Sequence, residues 1–310
     1  MHYELLEGVP KDYISDLCIV EGYPHVIATA WDGSISMFDY NSRKRLAQMR
    51  HEYPLLSTTW TVGGKKYVGS VQGELLEVDL ESERFDRVFN GAQLGISALC
   101  SRAHDVIAGS WDGTIEVMDS RSNNIWFRSE INGHKVLQLD CKENTVVAAC
   151  TQGKVKIYDL RQMENPITHD SGLKFQTRDI KLMPHGKGYV QSSIDGRVAV
   201  EYFKDDESRF AFRCHRMNLE DVQLVFPVNS VCFKNDSSML YTGGSDGKVF
   251  SWNLSTRKKS EELPKLEDSV LKLACDGEML CMATGDDSFK TLPTAQDIEL
   301  QASKIYVAKL

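Results

Sequence analysis

Two tryptophans and three arginines are the residues of this chain whose placement could do chemistry. Trp31 and Trp111 each stand immediately before an Asp-Gly pair, where a tight turn presents the preceding side chain to water. Large aromatics at such an edge are anchor residues for a partner. Arg178, Arg197 and Arg213 follow one another along a single segment. Three guanidinium groups around one depression would suit a phosphate, gripped through charge-assisted and often bidentate hydrogen bonds. This is the chemistry of binding. The chain has no phosphate-cradling glycine loop with its lysine, no nucleophile elbow and no catalytic carboxylate pair with sequence support, so it is not expected to be an enzyme. Its eight histidines are scattered without metal-ligand spacing, and neither a metal nor another cofactor is expected.

Bulk properties narrow the partners. A formal net charge of −8 argues against broad, charge-driven contact with nucleic acid. No apolar run approaches the roughly 18 to 20 residues that span a bilayer, and the N-terminal Met-His-Tyr-Glu-Leu-Leu-Glu lacks the features of a secretory signal. The chain is therefore expected in the nucleus or cytosol, away from membranes. The eight cysteines include no Cys-x-x-Cys pair and fall mostly inside apolar runs such as ISDLCIV and VNSVCF, as small buried hydrophobes of a reducing compartment do.

The elements that must position these side chains repeat along the chain. An apolar run, a small residue or two, a turn ending in glycine and a second apolar run recur as VIATAWDGSISMFDY, KYVGSVQGELLEVDL, VIAGSWDGTIEVMDS, VVAACTQGKVKIYDL, YVQSSIDGRVAVEYF and LYTGGSDGKVFSWNL, with a degenerate seventh copy in LCMATGDDSFKTL. The residues at the turn fall at 32, 72, 112, 152, 195, 246 and 287, a period of 40 to 51. That is the spacing of a WD-repeat propeller, four strands to a blade. A further β-rich segment precedes each copy and supplies the inner strand of its blade. Residues 1–310 are thus expected to form one all-β domain, a seven-bladed WD-repeat β-propeller, with HYELLEG joining the blade completed by KIYVAKL to close the ring. The longest step marks an insertion near KDDESRFAFRCHRMNLEDVQL, within or after the fifth blade.

Strand alternation turns these positions into a map. The start of each inner strand, the turn and the end of each outer strand share one face. Before the turn stand Trp31, Val71, Trp111, Thr151, Ile194, Ser245 and Asp286; Arg178 opens an inner strand, Arg197 follows a turn glycine and Arg213 lies near the end of an outer strand. All five candidate residues are expected on that face. Trp252 belongs to a core column with Phe38, Val78, Met118 and Tyr158. Glu201 falls in the same column, where a carboxylate is costly unless paired, and is expected to orient part of the arginine cluster.

PKDYISD, the paired WDG turns, SGLKFQTRD, SSIDGRVAVEYF, RFAFRCHR and FPVNSV together resemble the budding-uninhibited-by-benzimidazoles-three family, the WD-repeat proteins of the spindle assembly checkpoint, and the compact form looks like a yeast member. The likeness runs from the N-terminal strand through the seventh blade, where DDSFKTLPTAQDIELQASKIYV has weak repeat character. The resemblance implies a kinetochore adaptor, nuclear and partly cytoplasmic, with two protein ligands. One is the GLEBS motif of the checkpoint kinase and its pseudokinase-like relative, for which the family's turn tryptophans match Trp31 and Trp111. The other is the phosphorylated MELT repeat of the kinetochore scaffold, for which the family's phosphate-reading arginines match Arg178, Arg197 and Arg213. Two other readings are weighed against it. The nuclear-pore messenger-RNA export factors are similar, but carry an N-terminal extension, His at the position of Glu201 and Lys at that of Arg213. A substrate receptor of a cullin ubiquitin ligase is suggested by YDLR (Tyr158 to Arg161) and MDSR (Met118 to Arg121), endings frequent in propellers.

Overall fold

Runs such as HVIATA (His25–Ala30) and TVVAAC (Thr145–Cys150) are buried at nearly every residue, on both alternations of the strand. Such strands must be covered on both faces. KKSEE (Lys258–Glu262), by contrast, is exposed throughout. A stack of blades edge-on to a central axis satisfies both, with covered strands inside and wet ones at the rim.

The structure, a computed structural model, describes residues 2–89, 91–131, 133–204, 208–235, 238–287 and 301–310. Among these, the chain forms seven four-stranded antiparallel sheets and one two-stranded hairpin. The first blade runs Ile14–Val20, His25–Ala30, Ser34–Asp39, Lys44–Arg50, each strand beside the one before it. Five more blades repeat this order. In the seventh, Ser269–Cys275 pairs with Met279–Gly285, which pairs with Lys304–Lys309, and the outermost strand is Glu4–Leu5 from the N-terminus. The expected closure is present: Glu4 and Leu5 face Val307 and Tyr306, the Leu6 N–H donates to the Ile305 carbonyl at 2.9 Å, and Leu6 itself is buried. The third strand of this blade is the KIYVAK segment; the SFKTL part of the degenerate repeat lies in residues 288–300, outside the described residues.

Blades meet closely because small residues stand where a neighbour's inner strand presses in. A Cβ on Gly109 would lie 2.6 Å from Val136 of the next blade. The insertion is the hairpin Arg216–Asn218 with Gln223–Val225, placed between the fifth and sixth blades.

Blade six carries a buried relay not apparent from the repeat pattern. Trp252 Nε1 donates to Thr242 Oγ1 at 3.1 Å, that hydroxyl lies 3.0 Å from His215 Nε2, and His215 Nδ1 lies 2.8 Å from Asp246 Oδ1. An Nδ1–H tautomer satisfies all of these groups in sequence, from the tryptophan in the core column to the aspartate of the turn. Trp252 is partly buried and packs 4.4 Å, ring to ring, from Phe212 of blade five. Replacing Thr242 by Val strands the Trp252 and His215 nitrogens in a buried place. It should cost about 2 kcal/mol in urea unfolding, with fluorescence and circular dichroism giving one transition; an unchanged midpoint would remove the relay from the account of stability.

Candidate functional site

Every inner strand begins with a register shift in its pairing to the next strand: between Ile14 and Asp16, Leu55 and Ser57, Ile96 and Ala98, Val136 and Gln138, Thr177 and Asp179, Val228 and Ser230, and Val270 and Lys272. A β-bulge re-aims the extra residue. Those seven residues are Ser15, Leu56, Ser97, Leu137, Arg178, Asn229 and Leu271, and all of them line one depression of about 260 Å³ at the mouth of the central channel. Arg178 is the charged member of this ring. Trp31, Trp111, Tyr13 and Lys272 are among the other residues that line it.

The turns hold the tryptophans over it. The backbone N–H of Trp31 donates to the Tyr13 carbonyl and that of Trp111 to the Gly95 carbonyl, each at 3.0 Å. Gly33 and Gly113 take φ values of +83° and +93°, in the left-handed region that a side chain disfavours. Asp32 and Asp112 cap the strands that follow by accepting from Ser34 N at 2.9 Å and Thr114 N at 2.7 Å. Trp31 is 40% exposed. Trp111 is half-buried, its ring so close over Gly95 that a Cβ there would meet it at 3.1 Å.

Arg178 is held from one side. Its Nη2 donates to Asn229 Oδ1 at 3.2 Å, while its Nε is buried with no hydrogen-bond partner. Burial pushes the neighbouring Tyr13 phenol up to about 12, opposed by Arg178 and reinforced by Asp287, so it stays neutral.

Arg197 and Arg213 are direct cross-strand partners in blade five. Like charges so placed repel. Arg197 has a local counter-ion, with Nε 2.8 Å from Asp195 Oδ2, and Arg213 is exposed. The same end of the blade therefore holds Arg178 on the inner strand and the Arg197–Arg213 pair two and three strands outward, about 10 to 15 Å away by strand spacing. The arginines share the face as a pair plus one. A fourth, Arg216, was not singled out from the sequence although it ends the FRCHR block: its Nη2 donates to the Asp195 carbonyl at 2.8 Å and its Nη1 to Gln223 Oε1 at 3.0 Å. It ties the inserted hairpin to the turn that carries Arg197.

Glu201 lies at the far end of its strand from Arg197, opposite Tyr189. Its Oε1 sits against Gly172, where a Cβ would lie only 2.4 Å away. Burial, and then the Glu201 carboxylate, push the Tyr189 hydroxyl up. Gly172 belongs to the loop that leads into the strand of Arg178. Arg121 and Arg161, of the two Asp-x-Arg endings, lie at the opposite face, each folded back onto its own aspartate, Asp119 at 2.6 Å and Asp159 at 2.5 Å.

A family model described as "Nucleolar protein 10-like, N-terminal domain", a β-propeller family to which the chain thereby belongs, matches residues 60–256. The solved structure "Crystal structure of RRP9 WD40 repeats" superposes with a TM-score of 0.84 over 99% of this chain and 97% of that one, at 18% identity, which speaks to fold alone. The "Mitotic checkpoint protein bub-3" of Caenorhabditis elegans is 31% identical over 277 residues, covering 83% of this chain and 79% of its own. The "Spindle assembly checkpoint protein bub3" of Schizosaccharomyces pombe is 30% identical over 285 residues, covering 88% of each. The chain belongs to the Bub3 family. It is a WD-repeat protein of the spindle checkpoint type. The "Poly(A)+ RNA export protein" of Schizosaccharomyces pombe is a more distant relative, 26% identical over 275 residues, 84% of this chain and 77% of that one.

For this Bub3-family propeller, the crowded Arg197–Arg213 pair makes a physical prediction. In phosphate-free buffer, Arg213→Thr should raise the thermal midpoint by about 1 °C by removing a like-charge contact. Added inorganic phosphate should raise the midpoint of the unsubstituted chain and leave that of the variant where it was. Equal response of both would detach the pair from anion binding.

Proposed function

We propose that the chain is a checkpoint adaptor with two peptide ligands on its bulged face. Trp31 and Trp111 anchor the GLEBS motif of the checkpoint kinase or its pseudokinase-like relative. Arg178, Arg197 and Arg213 read the phosphorylated threonine of a MELT repeat in the kinetochore scaffold. The protein so brings checkpoint proteins to kinetochores, acting from the nucleus without catalysis of its own. The observation that carries this reading is the sharing of one depression by both tryptophans and Arg178, with the arginine pair on the same end of the adjoining strands.

Phosphorylation adds about −1.5 to −2 charges and three strong acceptors. An unmodified threonine offers the guanidinium groups nothing comparable. Two ligands on one face also couple: if a bound GLEBS segment strengthens phosphopeptide binding, the reverse holds by the same factor. Glu201 supports the site through the loop beneath it, its carboxylate bracing Gly172 on the approach to Arg178.

Calorimetric titration with phosphorylated and unphosphorylated MELT peptides, each with and without a GLEBS peptide, tests the reading. Binding should depend on the phosphate, and Arg197→Ala should weaken it at least about tenfold while GLEBS affinity holds; Trp111→Ala should do the reverse. GLEBS binding with indifference to phosphate would favour the RNA-export reading, and RNA binding would then be measured. Glu201→Gln should weaken the phosphopeptide by a few-fold, and an unchanged affinity would end its supporting role.

A further inference from the structure

Cysteine pairs on the inner strands stand apart from the binding face. Neighbouring inner strands of blades six and seven run side by side: Asn229 Nδ2 donates to the Val270 carbonyl at 2.8 Å, and the Leu273 N–H donates to Ser230 Oγ at 3.1 Å. Two residues further along each strand, on the same face by strand alternation, stand Cys232 and Cys275. The two side chains pack in one hydrophobic cluster. Cys232 is buried; Cys275 is partly open to solvent at the end of its strand. The turn that follows aims a backbone donor back at it, Gly277 N–H to Cys275 Sγ at 3.4 Å. That turn is braced against the corresponding one of blade six, since a Cβ on Gly277 would meet Asn235 at 2.3 Å.

We infer that Cys232 and Cys275 are a redox-active dithiol, in which a peroxide oxidises the accessible Cys275 and buried Cys232 then closes a disulfide across the seam between blades six and seven. The Cys275 thiolate attacks one oxygen of the peroxide, forming a sulfenic acid and releasing water after protonation. The Cys232 sulfur attacks that sulfenic sulfur, a second water leaves, and the net change is two thiols and one hydrogen peroxide to one disulfide and two waters. Donation from Cys232 draws the Cys275 thiol below its ordinary range, with Gly277 and Lys234 assisting against burial and Asp276. Burial pushes Cys232 well above its own range, which fits it to resolve and not to initiate.

Cys100 and Cys141 take the same places on the inner strands of blades three and four, three and five residues beyond the bonded Ser97 and Val136, and serve as an internal reference. The test is titration of the intact chain with hydrogen peroxide, alkylation of the remaining thiols and peptide mapping without reductant. A Cys232–Cys275 cross-link, two hydrogens lighter than the free thiols, should form about tenfold faster than one between Cys100 and Cys141. In Cys232→Ser, dimedone should label Cys275 as the trapped sulfenic acid, and Cys275→Ser should leave Cys232 unmodified. Cross-linking first at Cys100–Cys141, or Cys275 still fully alkylated after peroxide, overturns the inference. Mapping of the unsubstituted chain decides it even if a serine variant fails to fold.

Discussion

The inner strands of neighbouring blades are not joined by backbone ladders, so the ring stands on side chains that cross each seam. Ser15, Ser57 and Ser97 donate to the carbonyls of Leu55, Ile96 and Val136 at 2.6, 2.9 and 2.7 Å, joining the first four blades. Asp140 accepts from Leu182 N at 2.7 Å and Asp179 from Val231 N at 2.9 Å, joining the fourth to the fifth and the fifth to the sixth. Asn229 and Ser230 reach the seventh, and Lys272 returns to Asp16 of the first at 3.5 Å. Each such bond is modest alone, about 1 kcal/mol net. Closure of the circle makes them act together, since no blade can leave without opening two seams.

Binding geometry and closure share residues. The bulge that starts each inner strand lifts one residue out of the pairing; all seven such residues line the depression, and Ser15, Ser97 and Asn229 also cross a seam. Arg178 is held by Asn229, which also donates to Ser245 Oγ and to the Val270 carbonyl. The cation over the channel mouth is thereby tied to residues that hold blade six to blade seven. A site built on such elements keeps its geometry without a ligand, which would lower the ordering cost of the proposed peptide binding.

The period, the seven blades, the N-terminal closure and the face that carries Trp31, Trp111 and the arginines were legible because turn glycines and apolar alternation repeat at a fixed spacing. The bulge ring was not. Its members are serine, leucine, arginine and asparagine, and the shift is a property of pairing between two strands, to which no residue type is bound. The relay in blade six was hidden for a related reason: His215 lies in a loop, at a spacing from Thr242 and Asp246 that the other repeats do not share. Arg216 stood in plain view within FRCHR, but its contact with the Asp195 carbonyl depends on where the inserted hairpin folds. Glu201 is half-buried in the register of that column, and its approach to Gly172 could not be read from the strand pattern.

Asp195 gives the arginine face a threshold. Its carboxylate is already ion-paired with Arg197, and its backbone carbonyl anchors Arg216, so an incoming group must compete with an intramolecular anion for the cation. A neutral hydroxyl cannot do so. A phosphate dianion can share Arg197 with Asp195 and take Arg213 as well, relieving the repulsion between the paired guanidiniums as it binds. The discrimination proposed for this face thus comes as much from the resident aspartate as from the arginines. The proposed phosphate site would be local and unlike a nucleic-acid track: the chain as a whole is acidic, and a polyanion extending beyond this one end of blade five would meet a net charge of the same sign as its own.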